Sequence, residues 1–378
     1  MTVDVDAVLR PHFEVLMEAA GRPALYDTHT HIGCNDPDGM RQEPEELLAA
    51  LATVGARGLV FPMHEPDGYP DPNDRAVRVA RESDGRLEAL CRVDPKTSDS
   101  VKEAERCLDL GARGIKLHPR AECFTMHEPR VRDLVALAHE RRGPVLIHAG
   151  RGIPALGEDT VRLSAEFPGA RLILAHCAIS DLSWLWRVLP DHPNVFIDLS
   201  WWHPSDILAV MELVPPGQVL WASDSPYGAP LPSVVHTLRC GLHIGLTREQ
   251  LAGVMGGQIA RIVAGEEPLD LGPPPGARPG VHPLLERVVA HLTATMARLF
   301  VRGDPTESLA LARLACGVPD DTPHADLFAV LRELFAAYEA ALAPPAPGRL
   351  FPAANRLLVA AAIFAATPVA PLAKPAAY

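Results

Sequence analysis

Paired cysteines are missing from this sequence. Its seven cysteines are odd in number, scattered along the chain, and contain no C-x-x-C pair. This pattern argues against a disulfide framework and against a structural zinc knuckle, both of which need paired or clustered cysteines. Scattered thiols are typical of a protein in a reducing compartment, so a cytoplasmic location is predicted.

An excess of positive charge is also absent. The formal net charge is -12 at pH 7. Nucleic acids and anionic membranes select basic surfaces, so neither is expected as a partner. A small-molecule substrate is the predicted partner, and assembly into a homo-oligomer is left open.

Long hydrophobic runs are scarce. The most apolar segment, residues 357–366, is ten residues long, whereas a helix that crosses a bilayer needs about 20 residues. The N-terminus is acidic and amphipathic and lacks the basic and then apolar layout of a signal peptide. The apolar segment is therefore predicted to be a buried helix or an interface, and export is not expected.

Short apolar runs, by contrast, recur regularly. Eight of them alternate with longer amphipathic stretches and begin at residues 24, 57, 87, 112, 143, 171, 194 and 218. The spacing of roughly 23 to 33 residues is that of a strand, a loop and a crossover helix. The sequence therefore predicts a (β/α)8 TIM barrel, and an open doubly wound sheet is the alternative that the runs alone leave open.

The composition changes after the eighth run. A Pro/Gly-rich stretch follows residue 265, and helical periodicity resumes over 284–300, 306–316, 325–342 and 352–366. We predict a barrel with a short N-terminal helix over residues 1–265, a linker over 266–283, and an all-α C-terminal module over 284–378. The module is interpreted as a packing or dimerisation unit, with a lid over the active site as the alternative.

Polar residues close several of the predicted strands. Asp27, His29 and His31 alternate along the first strand and so share one face. Further polar residues close strands five, six and eight: His148, His176 and Asp224. Active sites of barrels lie at these C-terminal strand ends, and histidine with carboxylate is a ligand set for a divalent ion. A metal site is predicted, although the H-x-H pair alone would also fit a core histidine pair.

Five short motifs carry a resemblance to a known family. They are D-T-H-T-H at 27–31, G-I-K-L-H-P at 114–119, L-I-H-A-G at 146–150, L-A-H-C at 174–177 and A-S-D-S-P at 222–226. Over residues 24–265 the chain resembles the amidohydrolase superfamily, within its amidohydrolase-related branch of metal-dependent hydrolases and decarboxylases.

The resemblance implies a ligand set for one divalent metal. Its members are His29, His31, His148 and Asp224, with His176 close enough to bind the metal or polarise the reacting group. Zn²⁺ is the expected metal, with Mn²⁺ or Fe²⁺ as alternatives. Asp224 and His176 are the predicted catalytic residues, because Asp224 could take and return a proton and His176 could stabilise developing negative charge.

Other side chains near the strand ends are candidates for binding the substrate. They are Lys116, His118, Arg120, Arg151, Trp202 and His203. Arg120 or Arg151 could hold a substrate carboxylate, with a surface salt bridge as the alternative for each. Lys116 is expected to pair with Asp27 or with the substrate, and a carboxylated Lys116 bridging two metals is the alternative.

The predicted function is hydrolysis. A metal-activated water would cleave an amide, lactone or ester in a small substrate that could carry a carboxylate. The first alternative is metal-dependent non-oxidative decarboxylation of an unsaturated or aromatic acid. The second is a catalytically inactive barrel that serves as a binding or scaffold subunit.

Overall fold

The computed structural model describes residues 3–278 and 280–373. Eight parallel strands follow one another around a nearly closed barrel, each paired with its neighbour in the sequence, which confirms the predicted TIM barrel. The strands are β1 (Tyr26–Ile32), β2 (Arg57–Pro62), β3 (Leu87–Arg92), β4 (Gly114–Leu117), β5 (Pro144–Ile147), β6 (Arg171–Leu174), β7 (Val195–Asp198) and β8 (Val219–Leu220).

The barrel closes where the segment after β8 meets β1. The backbone N–H of Asp224 donates to the carbonyl of His29 at 2.9 Å, and the N–H of His31 donates to the carbonyl of Ser225 at 2.9 Å. The Asp27 carboxylate also accepts the backbone N–H of Ser223 at 2.9 Å. This closure places Asp224 directly beside the two histidines of β1.

Helices flank the barrel and precede it. They are α1 (Val5–Ala19), α2 (Pro44–Ala52), α3 (Pro70–Glu82), α4 (Ser100–Asp109), α5 (Pro129–Arg141), α6 (Leu156–Glu166), α7 (Leu182–Leu185), α8 (Pro204–Leu213), α9 (Pro230–His243), α10 (Arg248–Ala252) and α11 (Gln258–Val263). Several begin with proline in the first turn, where the missing N–H is harmless and the fixed φ suits a helix.

Apolar side chains fill the barrel interior below its C-terminal rim. The layer includes Leu59, Phe61, Leu90, Leu146 and Phe196, all fully buried. Phe61 lies at the top of this layer, where its ring centroid is 4.5 Å from that of His31 and 5.2 Å from that of His29. The packed core therefore forms the floor of the polar site.

The C-terminal module is helical, with α12 (Pro283–Phe300), α13 (Thr306–Ala315), α14 (Ala325–Ala341) and α15 (Asn355–Ala366). Helix α15 contains the whole apolar segment noted in the sequence and packs against α9, α12 and α14. Within residues 3–278 and 280–373, no helix combines the length and apolarity needed to cross a membrane. The segment is instead a buried helix, as predicted.

A buried arginine fixes the module to the barrel. Arg239 of α9 is fully buried, and its guanidinium donates to the carbonyls of Thr367 at 2.7 Å and Pro371 at 3.0 Å. The same group lies 3.8 Å from the ring centroid of Phe364. The helices after the linker thus share a core with the barrel wall.

Candidate metal centre

Three side chains meet at the C-terminal rim of the barrel. Nε2 of His29 lies 3.2 Å from Nε2 of His31, and Oδ1 of Asp224 lies 3.3 Å from the first and 3.1 Å from the second. The two histidines are at most 4% exposed. We call His29, His31 and Asp224 the histidine–aspartate cluster.

The proton positions in the cluster follow from its hydrogen bonds. Nδ1 of His29 lies 2.8 Å from the Asp198 carboxylate, which can only accept, so Nδ1 carries the proton of this imidazole. Burial, together with the nearby Lys116 charge, lowers the pKa of His29 to about 3, so the ring is neutral at pH 7. Nε2 of His29 therefore presents a lone pair to Oδ1 of Asp224.

A divalent cation fits this arrangement. Metal–ligand distances of about 2.0 to 2.2 Å, at angles between octahedral and tetrahedral, place neighbouring ligand atoms roughly 2.8 to 3.6 Å apart, and the three separations in the cluster fall within that range. A cation would also offset two costs of burial. Burial raises the pKa of Asp224 well above its ordinary value and lowers the pKa of His31 well below its own.

Asp198 at the end of β7 is a functional residue that the sequence reasoning missed. Its Oδ2 accepts from Nδ1 of His29, while its Oδ1 accepts the backbone N–H groups of His176 and Ser200, each at 3.0 Å. Although burial alone would raise its pKa, the adjacent His29 holds the pKa of Asp198 well below its ordinary value. A carboxylate that accepts a hydrogen bond from one ring nitrogen of a metal-binding histidine fixes the tautomer of that histidine and raises the basicity of its other ring nitrogen.

His176 and His148 form a hydrogen-bonded pair beside the cluster. Nδ1 of His176 donates to the Ser200 carbonyl at 2.9 Å, so its Nε2 accepts from Nδ1 of His148, also at 2.9 Å. Nε2 of His148 is then left with a lone pair, and it is buried without a hydrogen-bond partner among residues 3–278 and 280–373. His148 lies outside the group formed by His29, His31 and Asp224, and its unpartnered nitrogen is the atom available for a ligand.

Two of the predicted residues have an unusual backbone. His176 and Asp224 both have φ of 57°, in the left-handed region that non-glycine residues seldom adopt. Such conformations cost energy, and they cluster at functional sites where the surrounding structure enforces them. The backbone at these positions is consistent with a site whose side-chain directions matter.

Lys116 is buried beside the cluster. Its Nζ lies 3.5 Å from Nε2 of His29 and 4.8 Å from the centroid of the Phe61 ring. Burial and the charge of Arg92 lower the pKa of Lys116 to about 7. Among the described residues Lys116 forms no salt bridge with Asp27, whose carboxylate instead accepts the backbone N–H groups of Ser223 and His29.

A cavity of about 740 Å³ opens above the cluster. Apart from His203, the residues predicted at the site all line it: His29, His31, Lys116, His118, Arg120, His148, Arg151, His176, Trp202 and Asp224. Arg120 and Arg151 are exposed and have no ion-pair partner within the described ranges. The stacked rings of His118 and His148 are 3.8 Å apart.

His203 does not line the cavity, and it occupies the N-cap position of α8 without a side-chain capping hydrogen bond. It is the residue before α8, with its Nδ1 3.9 Å from the Asp206 carboxylate. A second residue of the cavity wall, Arg92, escaped notice in the sequence although it closes β3. Its guanidinium is buried and binds the Glu122 carboxylate at 2.6 Å. The charge of Arg92 is therefore largely matched within the protein.

A TIM barrel with a polar rim and convergent candidate ligand atoms is the arrangement typical of metal-dependent TIM-barrel enzymes. A family model described as amidohydrolase matches residues 26–263. The chain belongs to this family, which confirms the resemblance seen in the sequence. The match ends before the linker, so helices α12 to α15 lie outside it.

Solved structures of the same fold share little sequence with this chain. A 5-carboxyvanillate decarboxylase from Novosphingobium aromaticivorans, solved with bound manganese, aligns with a TM-score of 0.52 and 12% identity over 64% of this chain and 97% of its own. An uncharacterised TIM-barrel protein from Bordetella bronchiseptica aligns with a TM-score of 0.51 and 15% identity over 64% and 99%.

A 2,6-dihydroxybenzoate decarboxylase in complex with 2,6-dihydroxybenzoate gives a TM-score of 0.50 at 12% identity over 64% of this chain and 99% of its own. At these identities the likeness shows the fold alone. A comparison with curated proteins found no match.

Proposed function

We propose that the protein is a metal-dependent hydrolase that cleaves an ester, lactone or amide bond in an acidic small molecule. The observation that carries this proposal is the histidine–aspartate cluster at the base of a large cavity. His29, His31 and Asp224 would hold one divalent ion, with His148 as a further ligand. Zn²⁺ suits nitrogen and carboxylate ligands, with Mn²⁺ or Fe²⁺ as alternatives.

When bound, such an ion supplies a Lewis acid that lowers the pKa of water from 15.7 toward about 7. Asp198 prepares His29 for this role, because its charge holds the proton on Nδ1 and leaves Nε2 free. The apolar floor formed by Phe61 and its neighbours excludes bulk water from below. Charges at the rim therefore interact more strongly than they would in solvent.

Asp224 has one oxygen for binding and one for proton transfer. Its Oδ1 faces the two histidines of β1, whereas its Oδ2 accepts no hydrogen bond from the described residues and lies 4.0 Å from Nδ1 of His176. As a water molecule adds to the substrate carbonyl carbon, Oδ2 takes its proton. The same oxygen then returns the proton to the leaving group as the acyl bond breaks.

Lys116 and two arginines suit an acidic substrate. Lys116 is buried without a carboxylate partner in the described part of the chain, so its ammonium can donate to a substrate oxygen at the cluster. Arg120 and Arg151, on the exposed wall of the cavity, can hold a carboxylate through paired N–H groups. His176 engages both ring nitrogens in hydrogen bonds, so in this arrangement it orients His148 rather than contacting the substrate.

Non-oxidative decarboxylation of an aromatic acid is the second candidate. The same unpaired cations favour it, since they would bind the carboxylate that is lost. Two structures of similar fold are decarboxylases of hydroxybenzoate-type acids. In that reaction the carbon–carboxylate bond breaks, CO₂ leaves, and a proton replaces it on carbon.

One assay separates the two candidates. Zinc- or manganese-loaded protein is incubated with 4-nitrophenyl acetate, dihydrocoumarin, 2,6-dihydroxybenzoate and 5-carboxyvanillate, and both acid production and CO₂ are measured. We expect ester or lactone cleavage that falls by at least about 10²-fold in Asp224→Asn, because this change removes the general base and also weakens a proposed metal ligand. CO₂ release without ester or lactone cleavage contradicts the hydrolase proposal in favour of the decarboxylase.

A further inference from the structure

The cavity extends well beyond the barrel. One end is formed by the histidine–aspartate cluster. The other end is lined by apolar side chains of the C-terminal module, Met296, Leu299, Phe300, Phe351 and Val359, together with its polar residues Arg349, Asn355 and Arg356. All of these module residues follow residue 263, where the family match ends. The distal end of the cavity is thus formed by a part of the chain that the family does not define.

Aromatic rings connect the two ends. The ring of Trp201 lies 6.2 Å from that of His176, and Trp202 follows at 5.8 Å. Phe300 stacks on Trp202 with centroids 4.7 Å apart, and Phe351 lies 5.3 Å beyond it. We call Trp201, Trp202, Phe300 and Phe351 the aromatic row, and it crosses from barrel to module at the contact between Trp202 and Phe300.

Members of the row retain accessible ring surface facing the cavity. Phe300 is 40% exposed, although a large apolar side chain at a helix end could have packed into the module core. The two tryptophans and Phe351 are partly buried. Accessible aromatic surface inside a concave site is the usual lining for the apolar part of a ligand.

The size of the cavity agrees with a ligand larger than one ring. Sites of about 300 to 1,000 Å³ hold drug-sized molecules, and this cavity measures about 740 Å³. A single-ring acid at the cluster would not span the aromatic row, which runs from Trp201 beside His176 to Phe351 in the module. A polar head at the cluster and an apolar body along the aromatic row would fill both parts of the cavity.

We propose that the aromatic row binds the apolar body of the substrate, so that the substrate is an elongated amphipathic acid or ester. This inference rests on the proposed function for the position of the reacting group, which lies at the histidine–aspartate cluster. The body, aromatic or long-chain, lies along Trp202, Phe300 and Phe351. Phe300 and Phe351 are then specificity-determining residues that the module contributes to the barrel.

Hydroxamates of increasing length test the proposal, because a hydroxamate head binds zinc and the tail probes the row. Acetohydroxamate, benzohydroxamate and 4-phenylbenzohydroxamate are titrated calorimetrically into the zinc-loaded full-length protein. The second ring is expected to tighten Kd by about tenfold. This gain should vanish in Phe300→Ala and Phe351→Ala but persist in Leu314→Ala, whose leucine is 74% exposed and outside the cavity lining.

The outcomes separate this inference from the proposed function. If acetohydroxamate binds and the second ring adds nothing in the native protein, the inference is overturned while the metal site stands. If no hydroxamate binds, the metal site fails, and the row is then tested with N-phenyl-1-naphthylamine fluorescence on chelator-treated protein. Dye binding that is about tenfold weaker in both Phe300→Ala and Phe351→Ala supports the aromatic row as a binding site. Equal dye binding in the native protein, the two phenylalanine variants and Leu314→Ala overturns it. Melting curves verify that each variant is folded.

Discussion

The carboxylate of Asp198 accepts a hydrogen bond of 2.8 Å from Nδ1 of His29, across the barrel from β7 to β1. Both side chains are fully buried. This contact decides which nitrogen of His29 faces the histidine–aspartate cluster, since Asp198 can only accept. Asp198 would thus prepare His29 as a ligand of the proposed metal.

Removing the charge of Asp198 should weaken metal binding. Asp198→Asn leaves a side chain of similar size that can no longer enforce the His29 tautomer, and loss of such a partner typically costs 10- to 100-fold in metal affinity. Competition with a chromophoric chelator measures the zinc Kd. As a control, Asp206→Asn changes an aspartate that does not itself line the cavity and accepts from Nε1 of Trp201 at 2.7 Å, and it should leave the Kd unchanged. Equal Kd values for the native protein and Asp198→Asn would contradict the role assigned to this carboxylate.

The glycine after the L-I-H-A segment leaves room for His148. A Cβ on Gly150 would lie 2.6 Å from Nε2 of His148, so Gly150→Ala should displace the imidazole from its bond to His176. We expect a loss of about 1 to 3 kcal/mol in the free energy of unfolding, as for other overpacked sites, together with weaker zinc binding. Gly280→Ala, where a Cβ meets no atom within 4 Å, is the matched control. Chemical denaturation that gives the same result for both variants would refute the steric argument.

Acid should destabilise the protein partly through His12 in α1. Its ring packs at 4.8 Å against Phe364 of the module, and burial, with the Arg239 charge, lowers its pKa to about 4. The unfolded chain takes up this proton near pH 6.5 and the folded chain only near pH 4, so stability falls as the pH drops through that window. His12→Gln should remove about 2 kcal/mol of the difference in unfolding free energy between pH 7.5 and pH 5. An unchanged pH dependence in this variant would show that His12 does not titrate as described.

The contact between Arg239 and the segment after α15 should hold the module on the barrel. Arg239→Ala removes three hydrogen bonds and a cation over the Phe364 ring, and leaves a cavity where the buried side chain packed. A loss of about 3 kcal/mol is expected, with faster proteolysis within residues 266–278. Arg141→Ala, at an exposed pair with Asp109, should cost less than about 1 kcal/mol. Similar melting temperatures for the two variants would contradict the anchoring role.

The barrel and its polar rim could be predicted from the sequence, because both follow from patterns within short segments of the chain. Alternation along β1 places His29 and His31 on one face, and the ends of parallel strands share one rim whatever the details of packing. Helices α12 to α15 begin and end within three residues of the predicted bounds, since their apolar periodicity is strong.

What the sequence could not predict depends on contacts between distant segments. Asp198 closes β7 just as Asp224 follows β8, but nothing local distinguishes a carboxylate that faces a ligand from one that is a ligand. The bond between His148 and His176 depends on the tautomer set by the Ser200 carbonyl. The stacking of Phe300 on Trp202 joins residues almost one hundred positions apart, and no periodicity encodes it.

The metal content of the purified protein tests the central claim most directly. Protein prepared without chelator is analysed by inductively coupled plasma mass spectrometry, before and after reconstitution with Zn²⁺, Mn²⁺ or Fe²⁺. The account predicts one equivalent of divalent metal in the native protein, and loss of that metal in His29→Ala, His31→Ala and Asp224→Ala, each verified as folded by its circular dichroism. Native protein that takes up none of these metals, or variants that retain a full equivalent, would contradict it.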